Sequence, residues 1–157
     1  MRSDVSVIIL PGRTPPVYRP GELLSCEYKI DIRPGGPKAN AIETTVLWQT
    51  EGKGDTDIGV HFFERREKKM VQPDVLRQTH KLTTKLPQTP LSYDGRIVKI
   101  VWCIRVRIFF DDGGERTFDK AIRVGDAIFL PPDDPGQDDE KNEDGETPDE
   151  PETKEKA

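Results

Sequence analysis

No stretch of this 157-residue chain approaches 18 consecutive apolar residues, so nothing in it reads as a membrane-crossing helix. The early run from Val5 to Leu10 is too short to be the core of an export signal. Cysteine is scarce, with two residues, and so is histidine, with two. Two cysteines without an export signal point to free thiols in a reducing compartment, and the expected location is the cytoplasm. Cys26, Cys103, His61 and His80 lack the paired spacing of a zinc site. Ser92, His80 and Asp94 lack the flanking glycines of a nucleophile elbow. Asp111, Asp112 and Glu115 are better explained by a turn than by calcium. The expectation is a protein with no catalytic residues, no metal and no cofactor.

Hydrophobic residues are few as well, at 33%, against 34% charged. These averages hide two unlike parts. Residues 131–157 hold twelve Asp and Glu against three Lys, a net of −9. The first 130 residues hold 21 Lys and Arg against 17 Asp and Glu, a net of +4. That excess is too small and too spread to point to nucleic acid. The acidic segment has no aromatic residue, and Ala157 is its one aliphatic. Such a composition cannot bury enough apolar surface to offset its ordering entropy, so residues 131–157 are expected to be a disordered acidic tail on a domain of residues 1–130.

Helical periodicity is missing, and a period of two takes its place. Val98, Ile100, Trp102, Ile104, Val106, Ile108 and Phe110 alternate with residues that include Lys99, Arg105 and Arg107. This predicts a long strand with one buried face. Ser3 to Leu10 predicts another, with Val5, Val7 and Ile9 in phase. Glu22 to Ile32 follows, burying Leu24, Cys26, Tyr28, Ile30 and Ile32. Between these two, prolines 15, 16 and 20 argue against ladder pairing. Pro34-Gly35-Gly36-Pro37 reads as a turn. Ala41 to Thr50 predicts a strand with Ile42, Thr44, Val46 and Trp48 on one face. Ile58 to Glu64 predicts the next, with Ile58, Val60 and Phe62 in phase and His61 exposed. Arg65 to Asp74 reads as loop, and Val75 to Leu86 as a strand with His80 and Leu82 in phase. Asp111 to Gly114 predicts a hairpin turn into a strand over Glu115 to Val124. A short eighth strand follows over Gly125 to Leu130. Turn-separated strands without helices predict an all-β, immunoglobulin-like, two-sheet antiparallel β-sandwich.

Cys26, Trp48 and Cys103 mimic the antibody order of Cys, Trp and Cys. Strand phase separates them, since Cys26 lies on the apolar phase of its strand and Cys103 on the polar phase. The two sulfurs then point apart and cannot meet the short geometry of a disulfide. Val101 also stands where an antibody domain has its corner tyrosine.

Two segments carry a family likeness. One is Tyr18-Arg19-Pro20-Gly21-Glu22, entering a strand. The other is Leu86-Pro87, then Pro90-Leu91-Ser92-Tyr93-Asp94-Gly95, then Ile100-Val101-Trp102-Cys103-Ile104-Arg105-Val106. Together they resemble the amino-terminal domain of arrestins and their relatives, with Trp102 where that family often has tyrosine. Arrestins join two such sandwiches, and this chain has room for one. The resemblance implies a cytoplasmic scaffold or adaptor, of a single-domain or sporulation-control-related kind.

The charged stretch Arg65, Arg66, Lys68 and Lys69 is the candidate partner-binding site, a basic landing place for an acidic partner or for the chain's own tail. The expected function is therefore a non-catalytic protein-interaction module with a protein partner. A structural subunit of a larger assembly, or a small hydrolase on a sandwich, stands as the alternative.

Overall fold

The computed structural model describes residues 4–125. The expected tail, and the strand expected over Gly125 to Leu130 save Gly125 itself, lie outside the described residues. Alternation does what the sequence implies: it sorts each strand into a wet and a dry face, and two sheets close over the dry faces. The smaller sheet orders β1 (Val5–Pro11), β3 (Leu23–Ile32) and β6 (His80–Lys85) as β1-β3-β6. The larger runs β2 (Val17–Tyr18), β9 (Glu115–Val124), β8 (Val98–Phe110), β4 (Ala39–Gly52), β5 (Ile58–Glu67), with β7 (Tyr93–Asp94) also paired to β8. All pairings are antiparallel except β2 with β9. The all-β two-sheet sandwich is thus the observed fold.

The core lies between the sheets. Leu24, Cys26, Tyr28 and Ile30 of β3 face Ile42 and Val46 of β4 and the even-numbered residues Trp102 to Phe110 of β8. The two long strands β4 and β8 pair from Ala39↔Phe110 to Gly52↔Val98, giving the larger sheet its spine. Trp102 is fully buried, and its indole N–H donates to the Pro90 carbonyl at 2.9 Å. That bond pins the proline-studded corner to the central strand.

Several expectations are corrected. Val17 and Tyr18 pair with Arg123 and Val124, so two residues find a ladder between the prolines. The segment read as loop after Glu64 continues β5 to Glu67, then makes a 3-10 turn over Lys68–Val71 and a short helix α1 over Pro73–Leu76. The strand expected from Val75 therefore starts at His80. Pro73 opens α1 because a first-turn residue needs no N–H partner.

The phase of β5 is also corrected. Its register on β4 slips between Val46 and Leu47, which pair with Phe62 and Val60, so His61 is an extra residue. A bulge of this kind reverses which side chains face inward. Ile58 and Val60 therefore stand 56% and 60% exposed. His61, expected in solvent, instead turns inward: its Nε2 lies 3.1 Å from Thr84 Oγ1, and its ring meets Trp102 edge-on.

Candidate functional site

Strand alternation splits the four predicted basic residues. Arg65 faces outward beside Glu43, its cross-strand neighbour, and Glu67, bonding them at 2.7 and 2.5 Å. Glu67 foremost, then Glu43, pushes the guanidinium pKa up. Arg66 faces inward. Its Nε bonds Glu64 at 3.1 Å and its Nη1 reaches His80 Nδ1 at 2.8 Å. A guanidinium only donates, so Nδ1 carries the lone pair, and Nε2–H donates to the Leu76 carbonyl at 3.0 Å. The His80 ring also stacks on Tyr28, whose hydroxyl accepts from Thr44. This set ties β5, β6 and α1 together across the open side of the sandwich.

Lys68 and Lys69 lie on the 3-10 turn. Lys68 has φ of 55°, the one positive value among the described non-glycine residues. A side chain in this left-handed region is strained by roughly 1–2 kcal/mol. The kink turns the chain out of β5 and sets both lysines on the rim of a groove of about 800 Å³. Arg65, Lys68 and Lys69 line it, and so does Lys38 just before β4, while Arg66 does not.

The same end of the molecule holds a second concavity of about 280 Å³, which shares Lys38, Ala39, Val71 and Pro73 with the groove. Its floor is apolar: Ile30, Ala39, Val71 and Leu76. The β3–β4 turn walls it on one side. Gly36 N donates to Arg33 O at 2.8 Å, with Pro34 and Gly35 at the corner and Gly35 at φ of 80°. This is the geometry of a type II turn. Arg33 and Arg77 complete the rim. The two concavities together are lined by six cations, Arg33, Lys38, Arg65, Lys68, Lys69 and Arg77, against Glu67, Asp74 and Asp111.

The other candidate groups go elsewhere. Ser92 Oγ accepts from Val124 N, Asp94 bonds Arg123, and both ring nitrogens of His80 are occupied as described. Ser92, His80 and Asp94 thus have separate partners. Cys26 lies in the inter-sheet core. Cys103 is buried on the outer face, opposite Leu47 and Ala121. Both thiols are free, and burial pushes each up to about 11. Among the described residues no helix is long and apolar enough to cross a membrane.

No family model and no curated protein matches the chain. Its structure is similar to that of Spo0M, a sporulation control protein from Bacillus subtilis, at 16% identity and a TM-score of 0.54. That match covers 80% of this chain and 51% of the other, so this chain spans about half of Spo0M's length. More remote likenesses are a superoxide reductase (neelaredoxin) from Ignicoccus hospitalis, at 13% identity and a TM-score of 0.42 over 76% of this chain and 80% of that one, and a β-glucosidase from Listeria innocua, at 17%, 0.34, 80% and 17% in the same order. The likeness to Spo0M bears on fold alone, and there it supports the arrestin-like sandwich implied by the two sequence segments.

Proposed function

We propose that this chain is a non-catalytic interaction module of the arrestin-like kind, working in the cytoplasm, and that it receives an acidic segment of a protein partner in the groove beside the 3-10 turn. The observation that carries this reading is the strained placement of Lys68, which sets Lys68 and Lys69 at a rim shared with Lys38. Arg65 is already held by two carboxylates and contributes less; Arg66 bonds Glu64 and His80 instead and does not line the groove. Rim charges act mainly through steering and weak pairing, so the interaction is salt-sensitive.

The test is fluorescence anisotropy with a labelled ten-residue peptide of Asp and Glu around one central leucine, titrated with the full chain. Replacing Lys68 and Lys69 together by Glu should weaken binding by roughly tenfold. Equal binding by the wild type and this variant would remove the groove from the reading.

A further inference from the structure

We infer that the apolar concavity next to the groove is an anchor pocket, and that the segment recognised here carries one bulky apolar side chain with carboxylates on its flanks. This rests on the proposed binding of an acidic partner and specifies the partner's chemistry. Charge alone describes a surface that any acidic chain would satisfy. The structure adds a shaped element to it.

The pocket floor is built from residues that belong to the core. Ile30 is 3% exposed, Val71 7%, Leu76 5% and Ala39 7%, yet they border an open space of about 280 Å³. An apolar cavity of about 150 Å³ already admits a benzene-sized group, so one leucine or aromatic side chain fits this one. The walls are preset. The turn at Pro34 and Gly35 is fixed by its proline and by its internal hydrogen bond. On the opposite side, α1 is held at its last residue by the His80 ring, which bonds the Leu76 carbonyl. A pocket with fixed walls takes an anchor at little ordering cost.

The rim supplies the second half of the specificity. Lys38 borders both concavities, Arg77 and Arg33 border the apolar one, and Lys68 and Lys69 border the groove. Arg33 lies 3.9 Å from Asp4 at an exposed site, and exposed pairs at that distance contribute little. An extended peptide repeats every 3.3 Å or so, so residues on either side of an inserted side chain pass over the rim that these cations line. The complementary ligand is therefore an extended acidic segment with a single apolar anchor. A purely acidic chain leaves the floor wet, and a purely apolar one leaves the cations unused.

Two labelled peptides test this on the full chain: the acidic decapeptide with central leucine, and the same peptide with asparagine in its place. Leucine should bind about tenfold tighter, a modest share of the transfer free energy of one leucine. Pro34→Trp should remove that advantage, because an exposed turn position then carries a ring large enough to cover the pocket; tryptophan is tolerated at this corner of a type II turn. Ile32 also lines the pocket, and Ile32→Ala, which widens it without closing it, should keep a preference for leucine. On adding the leucine peptide, methyl signals of Ile30, Val71 and Leu76 should shift. Equal binding of the two peptides, both weakened by Lys68→Glu with Lys69→Glu, would overturn the anchor and leave the groove. Binding that ignores the lysines, or no binding of either peptide, would overturn both.

Discussion

Single residues set the site's character. Lys68 holds its position at the rim under backbone strain, and glycine would adopt the same angle without the steric strain, at some cost in unfolded-state entropy. Lys68→Gly should raise stability by about 0.5–1 kcal/mol in urea unfolding while weakening the acidic peptide. A loss of stability would show that the lysine side chain makes contacts that outweigh its strain. The two thiols give a second residue-scale expectation. Folding raises both from 9.0 to about 11. Between those values the native state holds more protons than the unfolded one, so stability falls as pH rises. The contribution is complete below 9.0 and is lost on passing through about 11. Cys26→Ala with Cys103→Ala should flatten the unfolding midpoint across that window. An unchanged slope would place the alkaline loss on other groups. Native alkylation at pH 8 should be slow at both sites, since the thiolate is the reacting form.

At the scale of elements, β8 carries the fold, and Trp102 is its anchor. Trp102→Ala should cost roughly 3–5 kcal/mol, as large core deletions do. Trp102→Phe should cost less, mostly through the Pro90 carbonyl left without its donor. An unfolding midpoint that barely moves in the alanine variant would contradict the burial of this ring. The phases of β3, β4 and β8 were legible because long alternation has one interpretation over ten or more residues. The phase of β5 was not, because a single inserted residue leaves no mark in composition: Ile58, Val60 and Phe62 look continuous, and only pairing with Val46 and Leu47 exposes the slip. The helix α1 spans four residues, too few for a period, although Pro73 three residues before Leu76 was a usable first-turn signal. The site was half legible. The basic run at Arg65 to Lys69 announced itself, but alternation sent Arg66 inside. Lys38 and Arg77 joined the rim through contacts that no local pattern encodes.

At the scale of the whole molecule, charge is divided unevenly. The described end with the groove gathers six cations against three carboxylates, and residues 131–157 carry a net of −9. Many weak pairs at high local concentration can compete with an outside ligand even though each exposed pair is worth only about 0–1 kcal/mol. Replacing the twelve tail carboxylates by their amides in the full chain should tighten acidic-peptide binding several-fold at low salt and move the Lys68 and Lys69 amide signals. Both effects should fade toward 1 M salt, where screening acts within about 3 Å. Stability should hardly change, because a segment of this composition has almost no apolar surface to bury. Identical peptide affinity with and without the tail charges would reduce the tail to a solubility device.

The extra residue in β5 has a consequence for how copies of this protein meet. Among the described residues β5 has no strand on its far side, and such a border invites endless extension by like chains. An incoming straight strand can match the inward and outward side chains of β5 before His61 or after it, but not along both stretches. Two copies crossing at Glu64 or Arg65 would set like charges opposite each other. A counting mismatch and like charges thus both work against extension of the sheet from β5.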